Sequence, residues 1–334
     1  MKNKKIYAAV AAVVALAVTG CGGESASPGG SSGEQTAQSL GRIEIIAPAA
    51  PGSGWDQTAR AVQEALQAED LVDSAQVTNV PGASGTVALA QIAPQKGKKD
   101  TLVASGLAMM SGIITNGTEV SLDDLTPIAR LLGDSEMIVV PKDSEYDTLD
   151  ELFAAIKQDP KSIAVAGGSA GSADQIFIGL LAEDYGIDPS AINYVPFSGG
   201  GEATTALLGG KVQAGVAGVG EFAEQVAAGN LKGLVVSSPE PLEGVDVPTI
   251  GDAGHPDIEF ANWRSIMAPP GISEEEKDAY ITALTAMSES QAWKDTLAKN
   301  AWMDLFLAGD DFDAWLDEEN TRVEGVLQSL GQAK

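Results

Sequence analysis

The chain has 334 residues, with 47 Asp plus Glu against 20 Lys plus Arg, one His and one Cys. A chain so acidic repels nucleic acid and anionic lipid at long range, so no nucleic-acid partner is expected, and the charge reads as solubility outside the cell. One cysteine excludes a disulfide framework, and one histidine beside it leaves too few ligands for a zinc centre.

Lys2, Lys4 and Lys5 precede a run from Ile6 to Gly20 that is almost purely Ala, Val and Leu. It is shorter than the about 20 residues of a comfortable membrane span and has the size of a signal-peptide core. Val18-Thr19-Gly20-Cys21 ends it with small residues and the single cysteine. This has the form of a bacterial lipobox, in which the thiol is acylated and cleavage makes Cys21 the new N-terminus. An ordinary signal peptide with a coincidental cysteine, or an uncleaved anchor, is the alternative. Residues 1–20 are therefore expected to be a signal peptide. Lipidated Cys21 would hold the protein in the bilayer at the outer face of the cell membrane. Residues 21–39 are Gly, Ser and Pro-rich and bury too little apolar surface to fold, so they read as a tether. The folded part lies in Leu40 to Lys334, a length that suits two domains.

From Arg42 short apolar strands alternate with helical stretches, the pattern of an α/β fold. Ile43, Ile45 and Ile46 form a strand, Pro48 to Gly54 a turn, and Thr58 to Gln67 a helix with Val62, Ala65 and Leu66 on one face. Gln76 to Val80 is a second strand, followed by Pro81-Gly82-Ala83-Ser84-Gly85 and a helix through Ala88, Leu89 and Ile92. The order then recurs. Ile163 to Ala166 leads through Gly167-Gly168-Ser169-Ala170-Gly171 to a helix with Ile176, Ile178 and Leu181. Ile192 to Val195 leads through Pro196-Phe197-Ser198-Gly199-Gly200-Gly201 to a helix with Ala206, Leu207 and Leu208. Two similar α/β lobes are predicted, with ligands at the carboxyl ends of the strands, on opposite walls of one cleft. Glu136 to Pro141 reads as a crossing strand and Asn262 to Met267 as a return strand, together a hinge. Lobe 1 is then 40–138 plus 265–334 and lobe 2 is 139–264. Ser273-Glu274-Glu275-Glu276 opens a late helix with a capping box. The last sixty or so residues read as helical and packed on lobe 1.

Catalytic constellations are scarce, and neither a catalytic nor a metal-ligating set is expected. A Ser-His-Asp or Cys-His site would need His255, which sits in the turn-like Gly254-His255-Pro256, and Cys21 is spent on export. No phosphate-binding or dinucleotide fingerprint is present, so no cofactor is expected. The glycine loops carry the signal. Ser53-Gly54-Trp55-Asp56 and Ser172-Ala173-Asp174-Gln175 open helices in capping-box fashion. Glycine lets the backbone approach a ligand, and the N–H groups of a first helical turn favour an anion. Such a site can bind a carboxylate despite the negative chain, because contact donors outweigh charges screened beyond about 10 Å. The alternative is that these glycines only make tight turns. The candidate ligand-binding residues are Ser53, Gly54, Trp55, Asp56, Ser105, Ser169, Gly171, Ser172, Ser198, Gly199, Gly200, Gly201 and Arg264. The Arg264 guanidinium either forks onto a ligand carboxylate or pairs with an internal acid. Trp55 either stacks on the ligand or fills the lobe, and Ser105 adds a donor to the cleft.

In order and spacing these segments resemble the substrate-binding proteins of the tripartite tricarboxylate transporters, also called Bug receptors. The resemblance runs through Pro51-Gly52-Ser53-Gly54-Trp55-Asp56-Gln57-Thr58-Ala59-Arg60 and Asn79-Val80-Pro81-Gly82-Ala83-Ser84-Gly85. It continues through Leu125-Thr126-Pro127-Ile128-Ala129, Gly167 to Ser172, Phe197 to Gly201 and Leu207-Leu208-Gly209-Gly210. Val247-Pro248-Thr249 and Trp263-Arg264 through Ala268-Pro269-Pro270-Gly271 complete it. It covers nearly all of the mature chain. It implies a periplasmic-binding-protein fold of two hinged lobes, carboxylates held by backbone amides and ordered water, and delivery to a membrane permease of one large and one small subunit. The pairs Trp55-Asp56 and Trp263-Arg264 look like the tricarboxylate branch. The family's second-lobe loop often carries a His that Asp174 to Phe177 lacks, which puts a His contact in doubt.

The expected function is therefore capture of a citrate-like di- or tricarboxylate and its delivery to the permease. A sensory module signalling to a membrane kinase would use the same cleft. A third reading is an extracellular lyase or hydrolase acting through cleft carboxylates, and the near absence of His and metal ligands argues against it.

Overall fold

The structure, a computed structural model, describes residues 39–197 and 200–333. The expected signal peptide, Cys21, all of the tether but Ser39, and Ser198 and Gly199 lie outside them.

The first stretch contains β1 (Arg42–Ala47), α1 (Gly54–Ala68), β2 (Ser74–Asn79), α2 (Thr86–Ile92), β3 (Thr101–Gly106), α3 (Leu107–Asn116) and β4 (Thr126–Asp134). The second contains β5 (Glu136–Pro141), α4 (Leu149–Gln158), β6 (Ala164–Gly167), α5 (Ala173–Asp184), β7 (Asn193–Pro196), α6 (Gly200–Leu208), β8 (Ala214–Gly218), α7 (Val219–Ala227) and β9 (Leu231–Val236). Last come β10 (Asn262–Ala268), α8 (Glu274–Glu289), α9 (Gln291–Lys299), β11 (Met303–Ala308) and α10 (Gly309–Ser329).

The strands form two sheets, ordered β11-β4-β10-β3-β1-β2 and β7-β6-β8-β5-β9. In the first, β1, β2 and β3 are parallel, while β10 is antiparallel to both β3 and β4. β4 therefore runs with β1 to β3, and their carboxyl ends share one edge. In the second, β6, β7 and β8 are parallel, and β5 is antiparallel to β8 and β9. The carboxyl ends of β6 to β9 therefore share an edge as well. Ser135 alone joins β4 to β5, and Glu136 pairs with Gly218 at the end of β8. The link leaves one carboxyl edge and enters the other, and the return from β9 to β10 joins the same two edges. Loops on the two edges thus face each other across the hinge, the placement that ligands prefer in α/β sheets.

Burial follows from sequence periodicity. In α1 the buried Ala59, Val62, Ala65 and Leu66 recur at helical spacing and cluster with Ile45, Ile128, Ile266, Leu284 and Trp293 on one face of the first sheet. A second cluster includes Val139, Leu207 and Phe222, where α6 and α7 cover the second sheet. A third runs through both sheets, from Val103, Met109 and Trp263 to Phe177, Ile178 and Val235, with Phe312 and Leu327 of α10. Burying an aliphatic or aromatic side chain of this kind stabilises by about 1.5–3 kcal/mol. The capping box of α8 forms: Ser273 Oγ accepts from Glu276 N–H at 3.2 Å and the Ser273 N–H donates to Glu276 Oε2 at 2.8 Å.

The structure differs from the sequence reading in three places. α1 starts at Gly54, not Thr58, because Ser53 already holds the extended N-cap conformation. β5 lies wholly in the second sheet and β10 wholly in the first, so neither strand itself crosses. The C-terminal stretch is not all helix, since Met303–Ala308 pairs as an edge strand with β4.

Candidate ligand-binding site

The starts of α1 and α5 share one local design. Gly52 and Gly171 precede the N-caps Ser53 and Ser172 and have φ of +84° and +76°, a conformation that glycine adopts without steric cost. Gly52 N–H donates to Asp56 Oδ2 at 2.8 Å, and Gly171 N–H donates to Gln175 Oε1 at 2.7 Å. In both helices the third residue reaches back past the N-cap to the preceding glycine. The expected capping boxes are corrected accordingly: neither serine hydroxyl makes a cap bond among the described residues. Ser53 Oγ is buried without a partner among the described residues, and Ser172 Oγ lies 3.4 Å from Tyr194 Oη. Each helix thus starts with first-turn N–H groups and a serine hydroxyl that its own cap does not use.

Asp56 serves the loop. Beyond Gly52 it accepts from Arg60 Nε at 2.9 Å and from Asn79 Nδ2 at 2.8 Å. The bond from Arg60 most of all, helped by Gly52 and Asn79, outweighs burial and holds the carboxyl at about 2. A depressed acid contributes stability that is present above its unfolded value of 3.8 and lost as pH falls toward 2. Because Arg60 is half exposed, the contribution is about 1–2 kcal/mol. Asp56→Asn is expected to lose that amount at pH 7 and to flatten the acid limb of stability between about pH 4 and 2, as urea unfolding at stepped pH would measure.

Arg264 has its side chain within the protein. Nη1 donates to Gly54 O and to Thr58 Oγ1, both at 3.1 Å, Nη2 pairs with Asp134, and the guanidinium lies 5.4 Å from the Trp302 ring. Burial pulls its pKa down to about 10, which still leaves it charged at neutral pH. This is the internal pairing that the sequence left open. It ties the start of α1 to the last residue of β4, directly before the Ser135 link. Gly54 has to be small here, because a Cβ would lie 2.5 Å from Nη2.

Ser105 is fully buried, and its Oγ lies 2.7 Å from Ser265 Oγ across the β3–β10 pairing. Trp55 is half-buried, with its ring atoms 3.1 and 3.2 Å from where a Gly85 Cβ would stand. It packs between the first two loops of lobe 1. In the second loop Ala83 and Ser84 have φ of +45° and +54°, a left-handed strain of about 1–3 kcal/mol per residue that sequence reading did not anticipate. In lobe 2, Ser169 is exposed, its carbonyl accepting from Ser172 N–H at 3.0 Å. Gly168 N–H donates to Asp174 Oδ2 at 2.6 Å, and Tyr194 Oη donates to Gly168 O at 2.9 Å. Gly200 starts α6 and Gly201 is exposed. Gly171 approaches lobe 1 so closely that a Cβ would lie 2.7 Å from Thr115 Cγ2 of α3.

His255 belongs elsewhere. Its Nδ1 lies 2.6 Å from Asp184 Oδ2 and its Nε2 2.7 Å from Tyr185 Oη, at the carboxyl end of α5, away from the loop edge. Among the described residues no helix is long and apolar enough to cross a membrane.

Residues 58–332 match the tripartite tricarboxylate transporter family receptor. Protein BugT of Bordetella pertussis is 28% identical over 295 residues, covering 86% of this chain and 89% of BugT. A TctC solute-binding protein from Polaromonas, solved without ligand, superposes with a TM-score of 0.73 at 27% identity, over 87% of this chain and 99% of that one. Rpa4515 of R. palustris, solved with adipate, gives 0.72 at 21% identity, over 88% and 98%. Both sheets and the facing loop edges agree with a periplasmic-binding-protein fold. The chain belongs to the tripartite tricarboxylate transporter receptor family, and it is an extracytoplasmic solute-binding receptor rather than an enzyme.

Proposed function

We propose that the protein captures a citrate-like di- or tricarboxylate between its two loop edges and delivers it to a membrane permease of one large and one small subunit. The observation that carries this reading is the matched pair of helix starts, Gly52 to Asp56 and Gly171 to Gln175, on edges that the Ser135 link brings face to face. An uncapped helix start favours an anion through its N–H groups and through a dipole term of about 0.3–1 kcal/mol. A ligand with two or more carboxylates can meet one such start on each lobe and so favours closure. The donors in this reading are backbone N–H groups within Ser53 to Asp56, Ser169 to Ser172 and Ser198 to Gly201, save those of Ser53, Gly171 and Ser172, which already donate to Ala50 O, Gln175 Oε1 and Ser169 O. Arg264 acts through Gly54, holding the first start in place. The adipate bound by Rpa4515 is a dicarboxylate, which supports the ligand class.

A thermal-shift screen of mono-, di- and tricarboxylates against the purified protein tests the reading. A true ligand at 100 times its Kd is expected to add about 2.7 kcal/mol of stability, with monocarboxylates weaker. If no di- or tricarboxylate shifts the transition at millimolar concentration, the ligand class is wrong.

Anchoring through acylated Cys21 completes the proposal, since acylation stably holds a soluble body at a bilayer when more than one chain is attached. Cys21→Ala is expected to move the protein from the membrane pellet to the soluble fraction. Retention equal to the wild type would show another anchor.

A further inference from the structure

A second cavity lies on the other flank of both sheets from the candidate cleft. The cleft loops follow β1, β2, β6 and β7. In sheet order β10 and β3 stand between the β11–β4 pair and the β1–β2 pair, and β8 and β5 stand between β9 and the β7–β6 pair. The second cavity, of about 550 Å³, lies at the β4, β11 and β9 flank. Its walls are the return segment between Ser237 and Ala261, strands β4, β10 and β11, and α10.

Arg130 of β4 gives the cavity its chemistry. Its Nε donates to Leu305 O at 2.8 Å, and its guanidinium carbon lies 4.1 Å from the centre of the Trp315 ring. The two terminal nitrogens make no hydrogen bond among the described residues. Glu319 acts on this cation from a distance, but its oxygens are engaged elsewhere. Oε2 accepts from Arg322 Nε at 2.7 Å, while Oε1 accepts from Arg322 Nη2 at 2.7 Å and from Trp263 Nε1 at 2.9 Å. Burial pulls the Arg130 pKa down, and Glu319 offsets only part of it. The result is a half-buried cation with its planar Nη fork to spare. The rest of the lining is mostly apolar. Phe260 is buried, and Ile258, Met303, Leu305 and Trp315 are half-buried. Glu259 and Glu318, both exposed, are the remaining acids. A second negative group on an occupant would meet them, whereas a single carboxylate meets Arg130. The volume suits a small organic ligand, since such pockets are typically about 300–1,000 Å³.

We propose that this cavity is a second binding site, for an amphipathic monocarboxylate whose carboxylate forks onto the Arg130 Nη atoms and whose carbon chain lies against Ile258, Met303, Leu305 and Trp315. Guanidinium and carboxylate match as two parallel N–H···O bonds. Each CH2 that reaches the apolar walls tightens binding about three- to fourfold. The site is independent of the proposed capture, whose donors are backbone amides on the opposite flank.

NMR of the tryptophan side chains tests it. The full chain, labelled with 15N at its five indoles, is titrated with octanoate below its micelle range. Trp263 and Trp315 line the cavity, Trp55 packs among the cleft loops, and Trp293 and Trp302 lie on the other face of the first sheet. Octanoate is expected to shift Trp263 and Trp315 saturably at millimolar concentration and to leave Trp293 in place. Octanol, with the chain but no charge, is expected to bind about tenfold more weakly, and suberate, with a second carboxylate, about threefold more weakly at these two indoles. Arg130→Gln removes the cation but keeps an amide donor for Leu305 O, and is expected to weaken octanoate about tenfold. Shifts that never saturate and are shared by all indoles, octanol as tight as octanoate, or wild-type affinity in Arg130→Gln would overturn the site. Suberate as tight as octanoate would overturn the monocarboxylate class. Should Arg130→Gln not fold, Glu318→Lys on the exposed side of α10 decides. It is expected to tighten octanoate about threefold, and unchanged affinity would overturn the placement. A Trp55 shift with the same midpoint as those of Trp263 and Trp315 would put octanoate in the cleft and remove the second site. If no di- or tricarboxylate moves Trp55, the capture reading fails and the octanoate result stands, and the converse also holds.

Discussion

Arg264→Ala is expected to lower the unfolding free energy by about 3–5 kcal/mol, the cost of removing one partner from a buried ion pair. Arg264 is 8% exposed, and its guanidinium serves Gly54 O, Thr58 Oγ1 and Asp134 together. Truncation strands the Asp134 carboxylate and leaves two further acceptors without their donor. The Asp134 side chain is 23% exposed, so water relieves part of that penalty and places the loss toward the lower end of the range. Arg264→Lys keeps the charge but loses the planar fork that reaches three partners at once, and its loss falls between wild type and Ala. Urea unfolding at pH 7 measures both. Calorimetric titration of folded Arg264→Lys with the best carboxylate separates brace from contact. A brace predicts lowered stability with affinity per folded molecule nearly kept. A direct ligand contact predicts the reverse, and that outcome would put the guanidinium into the binding site.

Gly106→Ala is expected to cost about 3 kcal/mol, at the upper end of overpacking effects, because the obstacle is backbone. Gly106 pairs with Arg264 across β3 and β10, and an added Cβ would overlap the Trp263 carbonyl oxygen and lie 3.3 Å from Arg264 Cα. A side-chain obstacle can rotate away; a strand held between β3 and β4 cannot. The strain falls at the carboxyl edge of β3, next to Arg264, so the change should also shift the start of α1. Its cost and that of Arg264→Ala are then expected to be non-additive in the double variant. An unfolding midpoint within about 1 kcal/mol of wild type would show that β10 gives way more easily than its pairing implies.

The alternation of strand, glycine loop and helix was legible in the sequence because side-chain period separates strand from helix locally, as at Ile43–Ile46 against Val62–Leu66. The α8 capping box was legible for the same reason, since Ser273 and Glu276 are one turn apart. The glycine loops marked both helix starts, although the bonds they form proved to be those of Gly52 with Asp56 and Gly171 with Gln175. Spacing could not decide where Arg264 goes. Its partners Gly54, Thr58 and Asp134 are 210, 206 and 130 residues away. Sequence reading gave Ser105 to the cleft, whereas its side chain meets Ser265, 160 residues on. β11 escaped detection because a short strand between two helices carries little periodic signal of its own and exists through the free edge of β4. Glu136 stood at the start of a strand that was read correctly, yet nothing nearby in sequence shows that Asn262, Asp174 and Glu221 surround it. Local preferences follow from covalent geometry and side-chain shape over a few residues, so the recurring order of strand, glycine loop and helix was determined by the sequence alone, and β11 was not. Which buried charge meets which partner depends on how the sheets close over long loops, and that only the tertiary structure decided.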